Sequence, residues 1–238
     1  AIEKQYGQPM LEAVQRVVSK FGKSKAQIEE IINKLHAEGR AQYFQTVQKV
    51  PELLDKAKAA EADAKAYLDN IQATEPDFYN AITNEVVPAI KEFTDATLDA
   101  SVASGLRSQD DVNRLKQSFP TARTGPFYIP FQNDEDYTSS FAEAKGVNFE
   151  GTDPFGRIQT QLVNTINNGY KNKINQQVYA LAYKNNIVDE DGKKVIEVAP
   201  VPILKKMPDG TIDYGLTTLR NDPDTVITYI AGKPYTMK

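Results

Sequence analysis

The sequence contains no cysteine and only one histidine, His36, among its 238 residues. Without cysteine the chain can form no disulfide, and it has no thiolate for nucleophilic or redox chemistry. One histidine cannot supply the ligands of a zinc site, and any histidine-based triad would depend on His36 alone. The phosphate-binding patterns GxGxxG and GxxxxGK[ST] are missing as well. We therefore expect no catalytic residue, no metal ligand and no cofactor in this stretch.

Long apolar runs and an excess of positive charge are also missing. No run of 18 apolar residues predicts a membrane-spanning helix, and the N-terminus does not resemble a signal peptide. A net charge of −4 argues against generic binding to nucleic-acid phosphates. Because the chain begins at Ala1 and ends at Lys238 within a strand-like pattern, we expect a processed product or a part of a longer polypeptide.

The longest regular pattern runs from Asp153 to Val188 and predicts one long helix. Asp153 suits the N-cap and Pro154 suits the first helical turn. Four basic residues, eleven Asn or Gln and no acidic residue lie between Pro154 and Asp189. This helix is either the core helix of an all-α domain or an assembly helix that packs between copies or partners. Its apolar residues recur with helical spacing on one face: Phe155, Ile158, Leu162, Ile166, Tyr170, Ile174, Val178 and Leu181.

The amide-rich face of this helix is expected to contact protein, with Asn164, Asn168 and Asn175 as candidate interface residues. Amides are poorer exposed-helix residues than Lys or Glu, and they form interhelical hydrogen bonds without burying a charge. The expected partner surface is either the acidic segment 52–100 or a neighbouring subunit.

Helical patterns also account for most of the first 120 residues. Ser24 and Gln27 form a capping-box pattern at the start of the second helix. Gly39 is expected to end that helix, with His36 stabilised near its C-terminus, and Pro88 is expected to kink the fourth helix. The predicted segments are Met10–Phe21, Ser24–Gly39, Pro51–Ala73, Thr74–Gly105 and Ser108–Pro120.

An extended segment rich in aromatic residues and proline follows these helices. Its large residues are expected either to form a structural strap across helices or to line a peptide-binding groove. The next residues, Asp134, Glu135 and Asp136, are the best candidate for a hard-cation site, although a solvated turn fits their spacing better. The candidate packing or interface residues of the strap are Phe127, Tyr128, Ile129, Pro130 and Phe131.

The pattern changes to β after Asp189. Asp209-Gly210 and Ala231-Gly232 are hairpin turn signals, and the last strand, 233–237, has no partner later in the sequence. The predicted fold is mainly α: an elongated multi-helix bundle with one long helix, about 153–188, and a small C-terminal β-hairpin appendage. The predicted domains are an N-terminal helical region 1–73, a helical domain with the strap 74–188, and a β-rich appendage 189–238.

Several motifs, taken in their order along the chain, resemble a domain of phage internal virion proteins. This domain is known as a large polyvalent-protein-associated domain, and the resemblance covers roughly residues 88–238. The family carries a basic residue after its strap, where this chain has Gln132. The matching features are the helix with Phe93, Leu98 and Gly105, the strap with Tyr128, Pro130 and Phe131, the helix start at Asp153 and Pro154, and the hairpin Gly232–Tyr235.

The resemblance implies a non-enzymatic, structural part of an internal core or ejection protein. Such a protein is packed inside the capsid and is delivered to the host cell envelope, where it forms a conduit for the genome. The implied partners are other copies of itself, other virion core or portal proteins, and the envelope after ejection, but no specific nucleic-acid sequence. Two alternatives remain: a part of a peptidoglycan-cleaving virion enzyme, or a bacterial cytoplasmic adaptor module built from helical hairpins.

Overall fold

The computed structural model describes residues 2–47, 51–129, 153–185, 187–206, 212–220 and 222–238. Helices make up 68% of the structure, which confirms the prediction of a mainly α fold with a small C-terminal set of strands. The α-helices are α1 Gln8–Phe21, α2 Lys25–Val47, α3 Pro51–Thr74, α4 Pro76–Ala81, α5 Val87–Ala103, α6 Gln109–Lys116, α7 Pro154–Asn185 and α8 Leu216–Arg220. The strands are β1 Val198–Pro200, β2 Lys205–Lys206, β3 Ile212–Asp213, β4 Val226–Ile230 and β5 Lys233–Met237.

Local capping groups set the starts of α2 and α7, as the sequence predicts. The Ser24 Oγ accepts a hydrogen bond from the Gln27 N–H at 3.3 Å, and the Gln27 side chain accepts one from the Ser24 N–H at 2.9 Å. At α7, the Asp153 carboxylate accepts a hydrogen bond from the Gly156 N–H at 2.9 Å. These bonds satisfy N–H groups that have no partner within the first turn of a helix.

Gly39 does not end the second helix, so this prediction is wrong. Helix α2 continues to Val47, and Gly39 lies within it. A Cβ added at Gly39 would overlap the carbonyl oxygen of Phe119, which packs directly against the helix backbone. The glycine is therefore required for a close approach of two chain segments rather than for a helix C-cap.

A π-helical turn precedes Pro88, the position at which the sequence predicts a kink. This turn, Ile82–Val86, joins α4 to α5, and the N–H of Val87 bonds to the carbonyl of Ile82. Residues with helical dihedral angles flank the turn on both sides. The wider turn lies directly before proline, where the regular hydrogen-bond pattern of an α-helix cannot continue. Thr74, where the sequence predicts the start of this helix, is instead the last residue of α3.

The described chain forms two compact units. The first combines residues 2–97, 113–129 and 153–162, and the second combines residues 98–112 and 163–238. Helices α5 and α7 contribute residues to both units, whereas the sequence predicted boundaries after 73 and 188. The first unit has a large apolar core drawn from α1, α2, α4, α5 and the start of α7. The second has a smaller core made by Leu106, Val201, Leu216 and Tyr229.

The strands of the second unit form a three-stranded antiparallel sheet with the order β1-β5-β4, and a separate pair, β2-β3. Ala231 and Gly232 both have positive φ between β4 and β5, as a type I′ hairpin turn requires. Strand β5 is the central strand: besides its hairpin partner β4, it pairs with β1 from earlier in the chain, a partner that the sequence did not predict. The predicted turn at 209–210 lies outside the described residues.

Candidate functional site

Helix α7 changes the direction of its apolar side chains along its length. Its first apolar residues, Phe155, Ile158 and Leu162, are buried in the core of the first unit. Beyond them the large apolar side chains face outward, with Tyr170 exposed to 69% and Ile174 to 61%. Of the two interpretations of this helix, the core helix therefore fits only its first part. We call the exposed set the outer stripe, and it consists of Val163, Ile166, Tyr170, Ile174, Val178 and Leu181.

The polar side of this part of α7 is buried instead, and Asn172 is its centre. The Asn172 side chain is only 3% exposed and forms four hydrogen bonds. Its NH₂ group donates to the carbonyls of Ser104 at 2.8 Å and Tyr229 at 2.9 Å. Its oxygen accepts from the Tyr229 N–H at 2.7 Å and from the Thr228 hydroxyl at 3.1 Å. An amide has two donor hydrogens and two acceptor lone pairs, so Asn172 is fully satisfied.

Neighbouring amides extend this contact along the edge of strand β4. The Asn175 side chain donates to the carbonyl of Ile227 at 3.3 Å, and the Gln176 side chain donates to the carbonyl of Tyr229 at 2.5 Å. Strand β4 lies at the edge of its sheet, where main-chain groups would otherwise have no ladder partner. Side-chain amides of α7 thus occupy the position that a further strand would take.

Two glycines permit this approach. Gly169, on the buried side of α7, lies against the Ser104 side chain. Gly105, which follows α5 with a φ of +76°, leaves space that a Cβ would take from the Gln176 amide. Its carbonyl also accepts a hydrogen bond from the Gly232 N–H at 3.0 Å. The buried polar side of α7, the end of α5 and the β4-β5 turn are therefore held together by small residues and amides.

The three predicted amides differ in their surroundings. Asn175 bonds to β4, and Asn164 and Asn168 are half-buried. The amides that carry most of the contact, Asn172 and Gln176, were not singled out from the sequence. The partner is strand β4 and the end of α5, within the same unit, and not the acidic segment 52–100. A sequence signal for these amides did exist, because small and amide residues recur at helical spacing on this face of α7. They are Thr165, Gly169, Asn172 and Gln176.

Positive charge borders the outer stripe. Lys171 and Lys173 are exposed and lie about 80° to either side of the centre of the stripe on a helix of 3.6 residues per turn. Lys184 is exposed close to the C-terminal end of α7. The helix contains no acidic residue. The outer stripe therefore has exposed lysine side chains on both sides.

The strap residues pack inside the first unit. Phe127 and Ile129 are each 1% exposed and belong to its apolar core. Tyr128 stacks on Phe119 with 6.1 Å between ring centroids. This placement fits the structural strap among the two interpretations of the sequence. Pro130 and Phe131 lie outside the described residues, as does the acidic cluster Asp134, Glu135 and Asp136.

The half-buried Arg123 binds the loop before the strap to the helices. Arg123 donates from Nε to Glu38 at 3.1 Å, and its guanidinium also contacts Asp69, Gln72 and Tyr79. Burial acts to lower the pKa of Arg123, but the hydrogen bonds with Asp69, Tyr79 and Glu38 raise this pKa above its usual value. Glu38 is 4% exposed. Its contact with Arg123 gives this buried carboxylate a structural role.

His36 is buried within α2, not near its end, so the predicted C-terminal position is wrong. Its ring meets Phe119 edge-on, with 5.4 Å between centroids. Burial, followed by the nearby charges of Arg40 and Arg157, lowers the pKa of His36 well below its usual value. The imidazole is therefore neutral at pH 7, and its contacts are those of a core residue.

The described part of the chain contains no group of three or more His, Asp or Glu side chains that could hold a metal ion. No helix in this part is both long and apolar enough to cross a membrane. Comparisons with protein-family models, with curated proteins and with solved structures found no match.

Proposed function

We propose that this chain is a non-catalytic assembly module of a phage internal virion protein, and that the outer stripe of α7 is its assembly surface. The proposed location is the inside of the capsid, with delivery to the host cell envelope on infection. The proposed partners are virion core or portal proteins. The motifs at Tyr128, Asp153 and Gly232 follow one another in the order seen in a domain of phage internal virion proteins. This resemblance supports the phage assignment.

One observation carries the assembly role: from Val163 onward, α7 turns Asn172 and its neighbouring amides toward strand β4 and exposes its large apolar side chains. A surface helix of a monomeric protein has the opposite arrangement, with its apolar face toward the core. Large apolar side chains aligned over several turns mark surfaces that bind other molecules. The buried side is fixed by the four hydrogen bonds of Asn172, so the helix cannot turn its apolar residues inward without breaking them.

The remaining contacts favour a structural rather than a catalytic role. Glu38, a buried glutamate, is held by Arg123, and His36 is enclosed by the core of the first unit. A catalytic acid or base must reach the proton that it transfers in a bound substrate. Neither group has that access in the described structure.

The phage assignment is tested by the protein content of purified particles made from the genome that encodes this chain. Mass spectrometry of these particles should recover peptides from both units, for example from α1 and from α7. An abundant cytoplasmic protein of the same host serves as the control and should be absent. Detection of the chain in the infected-cell lysate but not in the particles would contradict the assignment.

The two alternatives give different results with the purified chain. A peptidoglycan-cleaving enzyme would clear a suspension of purified peptidoglycan, and substitution of one glutamate would abolish the clearing. A bacterial adaptor would be a stable monomer that captures a cytoplasmic protein. We expect no clearing and no such capture.

A further inference from the structure

We infer that the outer stripe of α7 accepts an amphipathic partner helix whose apolar face is bordered by carboxylates. This inference rests on the proposed assembly role and adds the chemical class of the partner. The observations that carry it are the spacing of the stripe, its length and the charges beside it.

The spacing of the outer stripe is that of a helix-packing seam. Its residues follow one another at intervals of three, four, four, four and three positions. Such intervals hold apolar side chains on one line along a helix, where the side chains of a second helix can interlock with them. From Val163 to Leu181 the seam is about 27 Å long. A partner helix of about 20 residues covers that length.

The charges beside the seam select an acidic partner. In helix pairs, the residues that border the apolar seam face the bordering residues of the other helix. Here Lys171 and Lys173 are on opposite borders of the seam, and both are exposed. Carboxylates on both borders of the partner would meet these ammonium groups, whereas lysines there would repel them.

A second copy of this chain is a poor occupant for the same reason. Every ionisable charge along the exposed part of α7 is a lysine, so two such helices would place lysines near lysines in either direction. The exposed surface of the first unit offers no matching seam, because Leu11 is its only large apolar residue with such exposure among those described. We therefore infer a different protein, and not a second copy, as the source of the acidic helix.

Two synthetic helical peptides of about 20 residues test this inference. They share the same leucine seam and differ only at the bordering positions, which are Glu in one and Lys in the other. Fluorescence anisotropy measures their binding to the full chain at low and at high salt. We expect the Kd of the Glu peptide to be at least about tenfold lower than that of the Lys peptide, a difference of about 1.4 kcal/mol. High salt should reduce this ratio.

Variants of the chain test whether the peptide binds at the outer stripe and whether the lysines beside it cause the preference for the Glu peptide. Ile174→Asn should weaken binding of the Glu peptide at least about tenfold, since a desolvated apolar contact is lost. Leu11→Asn, at an exposed position of α1, is the matched control and should bind as the parent chain does. Lys171→Gln with Lys173→Gln should reduce the preference for the Glu peptide, and Lys56→Gln on α3 should not. Circular dichroism melting confirms that each variant is folded.

Several results would overturn the inference. These are equal binding of the two peptides, no binding of either, or a Glu-peptide contact that Ile174→Asn leaves intact. Self-association of the chain that Ile174→Asn abolishes would identify a second copy as the occupant. Binding to vesicles of anionic phosphatidylglycerol that needs Ile174, without binding of the Glu peptide, would identify a lipid surface. Recovery of the chain from virus particles tests the proposed location separately, and it would support that location whichever of these binding results is obtained.

Discussion

The side-chain amide of Asn172 pairs with both main-chain groups of Tyr229, accepting from its N–H at 2.7 Å and donating to its carbonyl at 2.9 Å. One side chain on a helix thus continues the hydrogen-bonding pattern of a β-sheet edge. The pairing also fixes the rotation of α7, because the opposite side of the helix must then face away from the sheet. That opposite side carries the outer stripe.

Asn172→Ala should lower the free energy of unfolding by about 1–3 kcal/mol, because it removes the oxygen that accepts from the buried Tyr229 N–H and the buried Thr228 hydroxyl. Urea unfolding measures the change. Asn167→Ala, on the exposed side of the same helix, is the control and should stay within about 0.5 kcal/mol of the parent chain. Equal stability of the two variants would show that the amide contacts do not hold α7 in place.

Gly39→Ala should destabilise the first unit by about 1–3 kcal/mol, although alanine is the better helix former by about 1 kcal/mol. The added Cβ would overlap the carbonyl oxygen of Phe119. Gly7→Ala is the matched control, because its Cβ would lie at an ordinary 3.5 Å from the Phe93 ring. Thermal melting of both variants compares them, and a stabilised Gly39→Ala chain would refute the close contact.

These cases show which features the sequence could predict. The caps at Ser24 and Asp153 were predictable because donor and acceptor are three residues apart. The role of Gly39 was not, because Phe119 lies 80 positions away and no local pattern reports its approach.

The orientation of α7 was unpredictable for a related reason. Apolar periodicity shows that a face exists, but it does not show whether a neighbouring element covers that face. The small and amide residues that face inward, such as Gly169 and Asn172, form a seam of the same period. Strand β4 determines which of the two seams is buried. The main-chain groups at its unpaired edge need hydrogen-bond partners, and amide side chains can be such partners whereas apolar side chains cannot.

The stability of the first unit should depend on pH through His36. Its folded-state pKa is lowered, so the unfolded state binds more protons below about pH 6.5. The stabilising effect of the neutral imidazole is complete above that pH and is lost as the pH falls below it. Urea unfolding between about pH 8 and 5.5 should show this decline, and His36→Leu should reduce the slope. An unchanged slope in His36→Leu would contradict the burial of a neutral imidazole.

Arg123→Met should cost about 3–5 kcal/mol of unfolding free energy, because it leaves the buried Glu38 carboxylate without its positive partner. Adding Glu38→Gln to that variant should recover part of the loss, since the uncompensated charge is then removed. A double-mutant cycle measures the coupling between the two residues. Strictly additive effects of the two substitutions would show that the ion pair contributes no interaction energy.

The central claim, that the outer stripe of α7 is an assembly surface, is tested most directly by crosslinking in infected cells. A benzophenone side chain replaces Tyr170, which is 69% exposed on the stripe, or Tyr183, which is 70% exposed on a different side of the same helix. On illumination, the chain with benzophenone at position 170 should form a discrete adduct with a virion protein, as the proposed function requires, and the chain labelled at 183 should not. Equal labelling at the two positions, or no adduct at 170, would contradict the account.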